Sequence, residues 1–140
     1  MFGSQGSCGE MFDSNWLALV RQYGAAFNLP EGLIYGIGER ETGWNQWAEG
    51  DAGCSCGPLQ INWCGGAGMG YTCEQLKQDL DLSFRLACER LWYLYQKYAR
   101  WDLTARYYRG EAEDQWSQPY QDDVLANWQH YDDAYGGTGP

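Results

Sequence analysis

Apolar and polar positions follow the period of an α-helix in six segments of this chain and the period of a strand in one short stretch. Trp16, Leu17, Val20, Tyr23 and Phe27 share one face of a helix from Asn15 to about Phe27, with Ser14 placed to cap it and Asn28-Leu29-Pro30 to end it. Pro30 and Glu31 suit the first turn of a second helix, carried by Leu33, Ile34 and Ile37 to Glu41 and stopped by Gly43. Gly36 and Gly38 each weaken that helix by about 1 kcal/mol, so something is expected to pack closely against them.

From Ala48 to Tyr71 the pattern dissolves into AEGDAGCSCGPLQINWCGGAGMGY, which predicts loops and a small strand or hairpin around Leu59 and Ile61. A loop this long inside a compact domain is either functional or disordered, and its cysteines argue against disorder. Helical spacing returns near Glu74 to Lys77. It then runs from about Leu82 to Tyr98, with Phe84, Ala87, Cys88, Leu91, Leu94 and Tyr95 on the stripe of what should be the central helix. Asp102 is placed to cap a helix through Tyr108, and Pro119 to begin a last one through Val124, Leu125 and Trp128. The tail, residues 135–140, should fray. The expected fold class is α+β, mainly α, with a small β element and a Gly/Cys-rich loop between helices.

At 140 residues the chain fits one domain, enough to bury roughly two thirds of its unfolded surface. No run of about eighteen apolar residues occurs, so no membrane insertion is expected. The stretch MFGSQGSCGEMFDS lacks the basic and apolar segments of a secretory signal, so export would use another route or follow removal of a leader. The net charge of -10 excludes nucleic acid as a partner, because a phosphate backbone is held by Lys and Arg releasing its counterions. It likewise disfavours an anionic membrane surface, while solubility alone accounts for such acidity. Six cysteines suit an oxidising compartment and up to three bridges, with fifteen possible pairings. A zinc site at Cys54, Cys56 and Cys64 is the competing reading, but paired CxxC spacing is absent and His130 is the only histidine, so no metal and no cofactor are expected.

The stretch Gly36-Ile37-Gly38-Glu39-Arg40-Glu41-Thr42-Gly43-Trp44 holds two carboxylates. On a helix, Ile34 and Ile37 define a stripe that continues through residues 38 and 41, so Glu41 falls on the buried side. Glu39 lies about 200° away around the axis and should be solvated. Desolvation raises the pKa of a carboxyl and lets it hold a proton, which a general acid cleaving a glycosidic bond must do. The alternative for Glu41 is an ion pair with Arg40 or Arg109. Asp51, in a glycine-flanked loop, is the candidate second carboxylate, with a turn or cap as its ordinary role. Trp44, Trp47 and Trp63 lie near this segment, and eight Trp exceed what one small core needs, which tilts the reading toward stacking on sugar rings.

Arg40-Glu41-Thr42-Gly43-Trp44, then Gly50-Asp51-Ala52-Gly53, then Gly57-Pro58-Leu59-Gln60-Ile61, resemble the goose-type lysozymes and soluble lytic transglycosylases. Ser83 to Leu91 is similar to their central-helix segment, Arg106-Tyr107-Tyr108-Arg109-Gly110 to their Ala-Tyr-Asn-Ala-Gly motif, and Tyr120 to Val124 to their closing helix, so the likeness runs from about Leu33 to Trp128. The resemblance implies a lysozyme-like fold and cleavage of the β-1,4 bond between N-acetylmuramic acid and N-acetylglucosamine. Glu41 would be the acid, with Tyr107 beside it, and Gln60, Ile61, Asn62, Tyr108, Trp44 and Trp63 would bind the glycan. Thr42 replaces the usual Ser, Pro58 and Leu59 replace Leu-Met, Tyr108 replaces Asn, and Asn62 stands where the goose-type enzymes have a second Asp. An amide is no carboxylate base. Asp51 would therefore have to polarise water alone for hydrolysis, while attack by the sugar's own 6-hydroxyl would give a 1,6-anhydro product.

These expectations place a monomer outside the cytoplasm, acting on the strands of the cell wall, either secreted or delivered by a bacteriophage. The alternative is a non-catalytic module binding peptidoglycan or chitin oligomers on the same scaffold, and a third reading is a structural wall-associated or virion spacer.

Overall fold

A computed structural model describes residues 8–140 of the chain. It is mainly helical with one small antiparallel sheet: α1 Ser14–Phe27, α2 Glu31–Thr42, β1 Glu49–Gly50, β2 Ser55–Cys56, β3 Ile61–Asn62, α3 Cys73–Gln78, α4 Leu80–Tyr98, α5 Trp101–Tyr107 and α6 Ser117–Tyr135. β2 is the middle strand, its Cys56 opposite Glu49 on one side and Ile61 on the other.

The element at the centre is α2 rather than the longer α4. Every residue of α2 from Gly32 to Gly38 is buried, and its main partner is α6. The two glycines flagged by the sequence explain how the helices come so close. A Cβ on Gly36 would stand 2.6 Å from the Val124 carbonyl oxygen of α6, and one on Gly38 would collide with the Trp44 ring. By contrast α4 is two-faced, burying Leu82, Phe84, Ala87, Cys88, Leu91 and Leu94 and exposing Trp92 and Tyr93.

Helix starts differ from expectation where a better-placed acceptor competes. Asp13, not Ser14, caps α1 by accepting from the N–H groups of Asn15 and Trp16, each at 3.0 Å. Asp79 caps α4, which therefore begins at Leu80. Asp102 lies inside the first turn of α5 rather than ahead of it, where its carboxylate pairs with Arg100 at 2.6 Å and accepts from the Leu103 N–H at 3.0 Å. Pro119 sits in the first turn of α6, which starts two residues earlier at Ser117. After α6 the Gly139 N–H donates to the buried Asp132 carboxylate at 2.6 Å, turning the chain back.

Four of the six cysteines form bridges, Cys54–Cys64 and Cys56–Cys73, both on the loop-rich segment between α2 and α4. Cys8 and Cys88 remain thiols, and burial pushes the Cys88 thiol up to about 12. Among the described residues no helix is long and apolar enough to cross a membrane.

Candidate active site

The last turn of α2 presents Glu41 to a cleft of about 580 Å³ whose other walls come from the sheet, the end of α5 and the start of α6. Local chemistry holds that turn still. Gly43, at φ 62, takes the left-handed conformation that ends the helix. The Thr42 hydroxyl donates to the Pro58 carbonyl at 2.8 Å and accepts from the Asn45 N–H at 3.1 Å, tying the helix end to the β segment.

Glu41 is half-buried. Its Oε2 accepts a 2.7 Å hydrogen bond from the buried Tyr120 hydroxyl, and among the described residues it forms no ion pair. Arg40 and Arg109, the alternative partners, are taken by Asp123 at 2.9 Å and Asp114 at 3.1 Å. Loss of hydration holds the Glu41 carboxyl above the usual range. The Tyr120 bond and the charges of Arg40 and Arg109 oppose that rise, and the negative charge of Asp51 adds to it.

Asp51 lines the same cleft from just past β1, so both candidate carboxylates border one cleft. It occupies the left-handed region at φ 51, which Asp tolerates better than most residues, and its Oδ2 accepts from the Ser55 hydroxyl at 2.6 Å. The two environments differ, with Glu41 desolvated and Asp51 exposed.

Gln60, Ile61, Asn62 and Tyr108 also line the cleft. The Gln60 side-chain amide spends its hydrogens on the carbonyls of Ala48 and Gly57, and its oxygen lies against Gly50, so it shapes the loop. The Asn62 side-chain oxygen accepts from the Cys64 N–H at 2.9 Å. Tyr108, in the position where an Asn was the expected type, donates to the Leu59 carbonyl at 2.6 Å and braces the cleft floor against the sheet.

Three expected site residues lie elsewhere. Trp44 is wholly buried, packed in the space Gly38 leaves and against Phe12, Trp16, Tyr35 and Phe84, so it is core and stacks on no ligand. Trp63 is 37% exposed, but its indole N–H donates to the Gly53 carbonyl and the ring folds over the 51–53 turn outside the cleft lining. Tyr107 turns away, donating to Glu113 at 2.6 Å, and Tyr120 takes the place beside Glu41 that had been expected of it. Glu39 is likewise not merely solvated. It is half-buried on the far side of α2, where it accepts from the Tyr35 hydroxyl at 3.2 Å and lies against Gly9.

The sequence reading missed Tyr120, Arg90 and, as a cleft residue, Arg109. A Tyr facing a Glu 79 positions away leaves no periodic signal. Among the described residues no group of three or more His, Cys, Asp or Glu is placed to hold a metal ion. Comparison with protein families, with curated proteins and with solved structures gives no match.

Proposed function

We propose that this chain is a glycosidase of the muramidase type, cleaving the β-1,4 bond between N-acetylmuramic acid and N-acetylglucosamine in peptidoglycan with Glu41 as general acid. The observation that carries the proposal is a desolvated carboxyl facing an exposed one across a single cleft. The order of motifs resembling goose-type lysozymes supplies the substrate class and a lysozyme-like reading of the fold. Two disulfides support action outside the reducing cytosol.

Because Tyr120 occupies Oε2, Oε1 of Glu41 carries the proton passed to the glycosidic oxygen as the bond breaks. Positive charge then develops on the sugar. Among the described residues Asp51 is the only other carboxylate lining the cleft, and with Ser55 on Oδ2 its Oδ1 is left to take a proton from attacking water. The side-chain oxygen of Asn62 is engaged by Cys64 and cannot act as a base, so hydrolysis rests on Asp51 alone.

Mass spectrometry of fragments released from purified cell wall tests both parts. Reducing ends are the expected result. Anhydro ends would keep cleavage and replace water with the sugar's 6-hydroxyl, and tight binding without any fragment would overturn the enzyme in favour of a binding module.

The acid also gives a pH signature. Glu41 acts while protonated, so activity falls as pH rises through its raised pKa. Tyr120→Phe deletes a bond that favours the ionised form, so the alkaline limb of the pH–rate profile should move to higher pH. An unmoved limb would mean that another group sets it.

A further inference from the structure

Charge is unevenly placed on this protein. Acidic side chains outnumber basic ones by 19 to 9, yet three of the nine, Arg40, Arg90 and Arg109, line the cleft that holds Glu41 and Asp51. Three guanidinium groups thus line the cleft beside two carboxyls, and Arg40 and Arg109 also pair with Asp123 and Asp114. A neutral sugar chain makes little use of guanidinium groups, whereas an anionic group on the glycan could accept from any of them that has donors to spare.

Two of the three arginines have structural duties. Arg90 donates from Nε and Nη2 to the carbonyls of Tyr108 and Tyr107, at 3.1 and 3.0 Å, closing the end of α5. Arg40 gives Nε to Asp123 and lies over the Tyr120 ring, 5.2 Å from its centre.

Arg109 is different. It stands between Tyr108, on the cleft floor, and Gly110, at φ 141. Its Nη1 and Nη2 reach Asp114 at 3.1 and 3.2 Å, longer than the ~2.8 Å of a strong charged pair. That contact uses two of its five N–H donors and leaves three. Asp114 is well exposed, so the pair contributes little and is readily exchanged or shared. In the Ala-Tyr-Asn-Ala-Gly pattern Arg109 replaces the second Ala, so the resemblance assigns it no role.

We propose that Arg109 is a specificity-determining residue that binds a carboxylate carried by the glycan, so that the cleft takes muramic-acid strands in preference to neutral chitin-like ones. The inference rests on the glycan-cleaving reading and names what the cleft recognises beyond the scissile bond. The carboxylate belongs either to the lactyl group of muramic acid itself or to the peptide attached there, and both present the same planar acceptor to a guanidinium.

Binding separates this inference from turnover. In the Glu41→Gln background, titration calorimetry would compare four ligands: peptide-free strands with free lactyl carboxylates, peptide-bearing strands, strands with their carboxyls converted to amides, and chitohexaose. Adding Arg109→Gln should weaken binding of carboxylate-bearing strands about tenfold and change the two neutral ligands less than twofold, with Arg109→Lys restoring part of the loss. Loss on peptide-free strands assigns the lactyl carboxylate, and loss confined to peptide-bearing strands assigns the peptide. Asp114→Asn guards against a merely structural effect, because freeing Arg109 should preserve or tighten binding of the charged strands. Equal weakening on neutral and charged ligands, no weakening on any, or an Asp114→Asn loss matching that of Arg109→Gln would overturn the inference. Wild-type protein that releases no fragment from cell wall would instead sink the glycosidase reading, whatever these affinities show.

Discussion

Glu41→Gln should lower fragment release from cell wall by about 10²- to 10⁴-fold, the usual contribution of a positioned general acid. The fold should survive. Gln accepts the Tyr120 hydroxyl as the carboxylate does, and the amide carries no charge to desolvate. A raised carboxyl pKa means that the native state disfavours the ionised form, a cost present above the folded pKa and absent below the ordinary carboxylate range. The variant should therefore be at least as stable as wild type at neutral pH, and that advantage should vanish on acidification. Urea denaturation at the two pH values would check it. Glu39→Gln is the companion control, since Glu39 serves Tyr35 on the far side of α2 and should leave the rate nearly unchanged. Comparable losses in both variants would dissolve the assignment.

The second large effect concerns the bridge from Cys56 to Cys73. Cys56 is wholly buried in the middle strand, and its partner opens α3, so this link anchors the sheet that carries Asp51, Ser55, Gln60 and Asn62. Its ends are 17 residues apart, and the chain-entropy estimate gives about 3 kcal/mol of stability. Replacing both cysteines by Ala should lower the urea midpoint accordingly and abolish most activity. The 10-residue Cys54–Cys64 loop gives a slightly smaller entropic figure, and its half-buried and exposed ends leave less of a hole when cut, so that double variant should be the milder of the two. An undiminished midpoint without Cys56–Cys73 would show that the Thr42 contact to Pro58 and the Gly57 bond to Ala48 hold the sheet unaided.

What could be read from the sequence was what repeats locally. The 3.6-residue period located the helices and put Glu41 on the inner side of α2, and two glycines in that helix announced close packing, met by α6 and Trp44. The same period misjudged Glu39, because α2 is covered around most of its circumference and a residue opposite the stripe still meets Tyr35 and Gly9. Trp44 illustrates the other limit. Its place beside Glu41 in sequence suggests a sugar platform, but the volume vacated at Gly38 draws it into the core.

By itself the sequence determined the helical class and the loop-rich β segment, and it set Glu41 and Glu39 on different sides of α2, since each follows from spacing along one stretch of chain. Tertiary structure alone decided which cysteines pair, that Tyr120 rather than Tyr107 touches Glu41, and that arginines 49 and 68 residues beyond it gather around the cleft. Those are contacts through space between distant segments, and no local periodicity encodes them.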